Sequence, residues 1–96
     1  MIEIRQTAEY EAWFEAVRDV QARARILARI RRVSLGNFGD VKPVGGGVSE
    51  LRLAYGPGYR IYVKRVGDAL VVLLAGGDKS SQKRDVERAR QLAQEL

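Results

Sequence analysis

The stretch ELRLAYGPGYRIYV, which begins at Glu50, places an acid, two arginines and a phenol at alternating positions of two predicted strands. Side chains of a β-strand point alternately to its two faces, so the apolar residues between these positions should share the buried face. The other face would then carry Glu50, Arg52, Arg60 and Tyr62. A shift of one residue in the strand pairing would bury the arginines. The pairing in which these four residues share the polar face is therefore the favourable one.

The two arginines of this polar face are predicted to stand opposite or diagonal to each other. Like charges placed in this way repel unless an anion lies between them, and a phosphate could bind both guanidiniums through paired hydrogen bonds. The alternative is an internal ion network in which Glu50 neutralises Arg52 and Arg60. The residues of this stretch leave both interpretations open.

A second basic cluster, GGDKSSQKRD, lies at the start of the last predicted helix. Free N–H groups and the helix dipole attract anions to a helix N-terminus, and cations are normally unfavourable there. This helix nevertheless begins among Lys79, Lys83 and Arg84, which is a local conflict typical of functional sites. The alternative is that Asp78 and Asp85 neutralise these bases.

Three arginines form a third group, on the second predicted helix. Arg25, Arg29 and Arg32 lie together on one flank of this helix, beside the apolar stripe that would be buried. Such a group is most often a solvated face. It could equally contact an acidic partner or phosphates.

The composition narrows the chemistry that these groups could perform. The 96 residues suffice for one domain, and 46% of them are apolar, which argues against disorder. The chain has no cysteine and no histidine, so it lacks thiolate chemistry, the usual general base and the commonest metal ligand. No cofactor is expected, because GxGxxG and Walker patterns are absent. The charge of +5 and the pI of about 10.0 favour an anionic partner such as nucleic acid.

The expected location is the cytoplasm. The longest apolar run covers residues 69–75 and is too short for a membrane helix, which takes about 20 residues. The N-terminal stretch MIEIRQTAEYE carries early acids and lacks the apolar segment of a signal peptide.

Two helices are predicted in the N-terminal third of the chain. A short strand at 2–6 precedes a helix capped by Thr7, and a second helix capped by Asp19 runs to about Ser34. Because the two helices are nearly contiguous, they should fold back as a hairpin. The glycine-rich residues 35–47 are predicted to form a mobile loop.

Three strands and a last helix are predicted for the rest of the chain. The third strand is apolar on both faces and belongs in the middle of the sheet, and Gly76-Gly77 ends it. The last helix would be capped by Ser80 or Ser81 and run to about Glu95. The strands cover residues 48–54, 58–65 and 69–75. The predicted fold class is therefore α+β, in a single domain that covers residues 1–96.

The order of several short motifs resembles a known protein family. LGNFGD, SELR, GPGYR and GGDK occur in this order between Trp13 and Arg90. Together they resemble the HigB-like addiction-module killer proteins of the RelE/ParE toxin superfamily. The resemblance implies a helical hairpin packed on a twisted antiparallel sheet, with a C-terminal helix. It also implies the toxin of a type II toxin–antitoxin pair, which cleaves mRNA on the ribosome and is neutralised by an antitoxin, often of the helix-turn-helix type.

The resemblance also implies where such a toxin would act. Arg52 and Arg60 match the family's basic sheet positions and would clamp the scissile phosphate, with Lys79 as a third cation. Glu50 is the best candidate for the general base in a chain without histidine, and the leaving-group acid would be Lys79 or a group near Gln82. The expected catalytic residues are Glu50, Arg52, Arg60 and Lys79; the expected RNA-binding residues are Lys42, Tyr62, Lys64, Gln82, Lys83 and Arg84; the expected antitoxin-binding residues are Arg25, Arg29 and Arg32. An acidic or apolar segment of the antitoxin is expected to cover this arginine-flanked helix or the basic sheet face. No metal site is expected.

Two other functions remain open from the sequence. A ParE-like toxin would inhibit DNA gyrase through protein contacts. A non-catalytic module would act only together with its antitoxin, for example in an operator-bound repressor complex, and would not arrest growth when expressed alone.

Overall fold

The computed structural model describes all residues from 1 to 96 and has the predicted α+β fold class. A short strand is followed by two helices, four further strands and a C-terminal helix. The elements are β1 Glu3–Gln6, α1 Ala8–Ala16, α2 Val20–Ser34, β2 Val41–Gly45, β3 Val48–Arg52, β4 Arg60–Val66, β5 Leu70–Gly77 and α3 Gln82–Gln94, with a single 3₁₀ turn at Lys79–Ser81. None of the helices is both long and apolar enough to cross a membrane.

The caps predicted for the first two helices are confirmed. The Thr7 hydroxyl accepts a hydrogen bond from the backbone N–H of Tyr10 at 3.0 Å. The Asp19 carboxylate accepts from the N–H groups of Gln21 and Ala22 at 2.9 and 3.2 Å. These bonds satisfy N–H groups that have no partner within the first turn of a helix.

The start of α3 differs from the prediction in one respect. Ser81 is the residue before the helix, as expected, but its side chain makes no cap bond to α3. The cap lies one turn earlier, where the Asp78 carboxylate accepts from the backbone N–H of Ser80 at 2.8 Å.

The sheet contains the expected antiparallel strands and is made mixed by the N-terminal strand. Its strand order is β1-β5-β4-β3-β2, and β1 pairs with β5 in parallel, with Glu3 opposite Leu70. The other three pairings are antiparallel. A parallel pairing needs a long connection, and both helices and three strands lie between β1 and β5 in the chain. The prediction that β5 is an interior strand is confirmed.

The prediction of a mobile loop at residues 35–47 is wrong for its second half. Val41–Gly45 forms the edge strand β2, antiparallel to β3, with a register shift between Pro43 and Gly45. Gly46 and Gly47, the two residues between β2 and β3, both have positive φ, at 63° and 78°, which lets the chain turn tightly into β3. Arg90 of α3 also donates hydrogen bonds to the carbonyl of Val44 and holds this edge.

Helices cover both faces of the sheet, so there are two apolar cores. On one face α1 and α2 pack over Leu51, Ile61 and Val63, as the alternation of these strands predicts. On the other face α3 packs over Val48 and Tyr62. The face that carries the polar residues of β3 and β4 is therefore largely covered, whereas the sequence predicts an open surface.

Candidate functional site

Three basic residues lie at the same end of the neighbouring strands β3, β4 and β5. Arg52 is the last residue of β3 and stands directly opposite Arg60, the first residue of β4. Arg60 in turn stands opposite Gly77, the last residue of β5, and Lys79 follows two residues later. We call Arg52, Arg60 and Lys79 the basic row.

The turn between β3 and β4 holds Lys79 close to this end of the strands. The backbone N–H of Lys79 donates to the carbonyl of Pro57 at 3.4 Å. A Cβ atom on Gly58 would lie 3.3 Å from the Cβ of Lys79. The structure therefore brings together the three cations that the sequence assigns to the phosphate site.

Arg60 is held by Glu50, which is fully buried between the sheet and α3. The Arg60 Nη1 donates to Glu50 Oε1 at 3.3 Å. The Tyr62 hydroxyl and the Gln82 side-chain amide donate to Glu50 Oε2 at 3.1 and 2.9 Å. This is the internal network that the sequence analysis leaves open, although it contains Arg60 and not Arg52.

The burial of Glu50 contradicts its assignment as a surface general base. Its side chain has no exposed area, and both carboxylate oxygens accept hydrogen bonds from neighbouring side chains. A general base must reach the proton that it abstracts. Glu50 is therefore a residue that positions Arg60.

Tyr62 is wrongly predicted as an RNA-binding residue for the same reason. It is completely buried under α3. Burial, and secondly the negative charge of Glu50, raises the pKa of the Tyr62 phenol above its ordinary value. The phenol therefore stays protonated and donates to Glu50.

Arg52 is paired with Asp40, a residue that the sequence analysis does not assign to the site. Its Nη2 and Nε atoms donate to Asp40 Oδ1 at 2.8 and 3.2 Å. The hydrogen bond and charge of Arg52 lower the pKa of the Asp40 carboxyl, and those of Asp40 raise the pKa of Arg52. The side chains keep 41% and 59% of their area exposed, so this pair is open to solvent. The only signal for Asp40 in the sequence is its place in the motif LGNFGD.

The basic cluster at the start of α3 is exposed. Lys79, Lys83 and Arg84 make no ion pair. Asp78 and Asp85 accept hydrogen bonds from Ser80 and Ser81, and they form no direct ion pair with these bases. Lys83 and Arg84 therefore add positive charge beside Lys79.

The three arginines of α2 have different environments. Arg29 is only 6% exposed and donates hydrogen bonds to the carbonyls of Phe38, Asp40 and Arg52. Burial lowers its pKa from the ordinary value. Its assignment as an antitoxin-binding residue is wrong, because its guanidinium joins α2 to the sheet.

Arg25 and Arg32 remain at the surface and line a cleft between α2 and β3. The guanidinium of Arg25 stacks on the Tyr55 ring, 4.5 Å from its centre. The cleft has a volume of about 490 Å³ and also contains Asp40 and Arg52 in its wall. A second depression shares these two residues and extends to Arg60. The cleft is therefore continuous with the part of the basic row that Arg52 and Arg60 form.

The remaining predicted RNA-binding residues are Lys42, Lys64 and Gln82. Lys42 is exposed on β2, opposite Glu50 in the strand register. Lys64 is partly buried and donates to the carbonyl of Ala93 near the end of α3 at 3.2 Å. Gln82 is bound to Glu50. Of these three residues, only Lys42 keeps a side chain that is exposed and unpaired.

A metal centre has no support in the arrangement of side chains. The chain has no histidine or cysteine, and no three acidic residues lie close enough together to hold a metal ion. The chemistry available at the basic row is that of guanidinium and ammonium groups, which bind anions and stabilise negative charge.

Comparison with known proteins identifies a relative of similar length. No protein-family model matches the chain. A protein of Haemophilus influenzae, described as an uncharacterized protein, is 47% identical over 95 residues, which cover 99% of this chain and 96% of the relative. Identity at this level over the whole length implies a shared fold. The chain belongs to the same protein family as this Haemophilus influenzae protein.

Proposed function

We propose that this chain is the toxin of a type II toxin–antitoxin pair and that it cleaves mRNA on the ribosome, in the cytoplasm. The observation that carries the proposal is the basic row, where Arg52, Arg60 and Lys79 lie together at one end of strands β3, β4 and β5. The resemblance of the motifs SELR, GPGYR and GGDK to the HigB-like toxins supports it, because these motifs contain the three cations.

The proposed reaction is attack of a ribose 2′-oxygen on the adjacent phosphorus. The bond from phosphorus to the 5′-oxygen breaks, which leaves a 2′,3′-cyclic phosphate on one fragment and a 5′-hydroxyl on the other. Arg52 and Arg60 would bind the phosphate oxygens as negative charge develops on them. The ammonium group of Lys79 would donate the proton that the leaving 5′-oxygen needs.

In the proposed reaction, correct positioning of the RNA contributes more than proton abstraction by a side chain of this protein. Glu50 and Tyr62 are buried, and in the free chain the Asp40 carboxylate is engaged by Arg52, so no free general base stands at the row before a strand binds. Correct positioning of reacting groups contributes up to about 7–11 kcal/mol in favourable cases. In this proposal the ribosome orients the 2′-hydroxyl and accepts its proton, which explains why the toxin would need the ribosome.

The proposed partner is an antitoxin with an acidic segment. Arg25 and Arg32 are exposed at the cleft between α2 and β3, and neither forms an ion pair. Carboxylates of a partner would neutralise them, and the bound segment would cover Arg52. Co-purification with the product of the adjacent small gene tests this part, and the double substitution of Arg25 and Arg32 by Glu should abolish it.

A non-catalytic module is the second candidate function. The burial of Glu50 favours it, since the expected general base cannot reach a substrate and a protein that only binds an anion needs no base. Such a module would leave growth unchanged when it is expressed alone.

Induced expression with two matched arginine variants tests the proposed function. Arg52 and Arg88 have the same kind of environment, since each pairs with an acid at 2.8 Å and keeps 41% or 43% of its side chain exposed. We expect the wild-type chain and Arg88→Ala to arrest growth, and Arg52→Ala to lose the arrest while it remains folded. Growth arrest that survives Arg52→Ala would contradict the proposed role of the basic row.

A further inference from the structure

The two opposed arginines of the basic row differ in how firmly their carboxylate partners are held. The partner of Arg60 is Glu50, which has no exposed area and accepts from three side chains. The partner of Arg52 is Asp40, whose side chain is 59% exposed. Buried and fully bonded groups are costly to displace, whereas exposed ion pairs contribute little to stability. Arg60 is therefore a fixed charge, and Arg52 is free to change partners.

The backbone keeps the Asp40 carboxylate beside Arg52. The carbonyl oxygen of Asp40 accepts from Arg29 Nη2 at 2.6 Å and from the backbone N–H of Arg52 at 3.0 Å. Arg29 is buried, so these two bonds anchor the residue while its carboxylate stays in solvent. An anchored carboxylate has a high effective concentration at its partner.

Any anion that approaches Arg52 meets Asp40. Both depressions that reach Arg52 contain Asp40 in their walls, one from the α2 side and one from the Arg60 side. In the free chain the Asp40 carboxylate binds two nitrogens of the Arg52 guanidinium, which are groups that a phosphate would need.

We propose that Asp40 is a built-in competitor for the phosphate at Arg52 and that it sets the affinity of the basic row for an RNA strand. In the free chain Asp40 occupies Arg52, and a phosphodiester of the strand displaces it. Arg60, which is fixed by Glu50, does not exchange. This inference rests on the proposed function in taking an RNA phosphate as the ligand.

The substitution Asp40→Asn tests this role, with Glu9→Gln as its matched control. Both variants remove one negative charge and release one exposed arginine, Arg52 in the first and Arg88 in the second. The backbone bonds that anchor residue 40 do not involve the carboxylate, so Asp40→Asn should keep the fold, and thermal unfolding checks this. The probe is a short fluorescein-labelled single-stranded RNA with 2′-O-methyl riboses, which cannot be cleaved by 2′-oxygen attack.

The expected result is tighter binding by the first variant alone. Fluorescence anisotropy at low salt should show Asp40→Asn binding about two- to fivefold tighter than the wild type, the range expected when an exposed ion pair no longer competes. Glu9→Gln should change the affinity by much less. The gain should vanish when Arg52→Ala is added to Asp40→Asn, because the released guanidinium is then absent.

Several results would overturn the inference. They are an equal gain in both single variants, no gain or weaker binding in Asp40→Asn, a gain that survives Arg52→Ala, and an absence of binding in wild type and variant alike. Growth arrest is measured separately. If Asp40→Asn binds the RNA more tightly but the wild-type chain does not arrest growth, only the proposed function is contradicted. If the wild-type chain arrests growth but Asp40→Asn gains no affinity, only this inference is contradicted.

Discussion

Glu50 connects two strands and a helix through a single carboxylate. Replacing it by Gln removes the charge and keeps the shape, which leaves the guanidinium of Arg60 without its anion at a position where only 13% of the arginine side chain is exposed. Breaking a buried ion pair in this way costs about 3–5 kcal/mol. We expect Glu50→Gln to lower the free energy of unfolding by about 3 kcal/mol, as measured by urea denaturation.

The control for this substitution is Glu9→Gln at the surface. Its partner Arg88 is exposed, so the loss should stay within about 1 kcal/mol. Equal losses in the two variants would show that Glu50 does not hold Arg60 in the way described.

Tyr10 carries a hydroxyl that is buried between α1 and the sheet without a hydrogen-bond partner. An unsatisfied buried polar group costs about 1–3 kcal/mol. Tyr10→Phe removes it without leaving a large cavity, so we expect the variant to be at least as stable as the wild type at neutral pH in urea denaturation. A loss above about 1 kcal/mol would mean that the hydroxyl has a partner.

Tyr10 also predicts how stability changes in alkali. Burial raises the pKa of the Tyr10 phenol in the folded chain above the unfolded value near 10. Above that pH the unfolded chain loses the proton and the folded chain keeps it, so stability is present below about pH 10 and falls as the pH rises. Tyr62 acts in the same direction. The fall should be shallower in Tyr10→Phe, and circular dichroism during alkaline titration measures it.

At the scale of elements, the end of β5 depends on two glycines that the sequence analysis places outside the strand. A Cβ atom on Gly76 would overlap the ring of Trp13 from α1, and one on Gly77 would overlap the Asp85 carboxylate of α3. The strand continues to Gly77 through its pairing with β4, and it needs glycine at both positions because helices approach its backbone from both faces.

Gly76→Ala should destabilise the protein because of this close approach. Overpacking a filled interior costs about 1–3 kcal/mol and occasionally more, and the Trp13 ring must move to make room. Gly67→Ala is the control, since Gly67 has a φ of 61° and open space around it; it should cost about 1 kcal/mol for the backbone conformation alone. Chemical denaturation measures the free energy of unfolding of both variants. A smaller loss in Gly76→Ala than in Gly67→Ala would contradict the close approach of Trp13.

The elements that could be predicted are those with local signals. Thr7 and Asp19 cap their helices as expected. The alternation from Leu51 to Val63 assigns the apolar side chains of β3 and β4 to the correct face of the sheet. The edge strand β2 could not be predicted, because VKPVG has little alternation and contains proline and glycine. Its pairing depends on β3 and on Arg90 of α3, which lie far away in the sequence.

At the scale of the whole molecule, the position of α3 explains most of the errors at the candidate site. The alternation of residues predicts that Glu50, Arg52, Arg60 and Tyr62 share a face, and the pairing of the two strands agrees with this. It does not predict which part of that face a helix covers. The apolar stripe of α3 is weak in the sequence, yet Ala89, Leu92 and Ala93 are buried against the sheet.

The covered part of the face lies toward the middle of the strands, and the open part lies at their ends. For this reason Glu50 and Tyr62 are buried, whereas Arg52 and Lys79 stay accessible. The partner of Arg52 could not be predicted either, because Asp40 reaches it from a segment that the sequence assigns to a mobile loop.

The measurement that tests the central claim most directly is the mapping of mRNA 5′ ends after induced expression of the chain. The account predicts new 5′-hydroxyl ends within coding regions soon after induction, with 2′,3′-cyclic phosphates on the upstream fragments, and neither product with Arg52→Ala. Growth arrest without new ends would contradict RNA cleavage, and a gyrase supercoiling assay would then test the ParE-like alternative. The same ends produced by Arg52→Ala would contradict the role of the basic row.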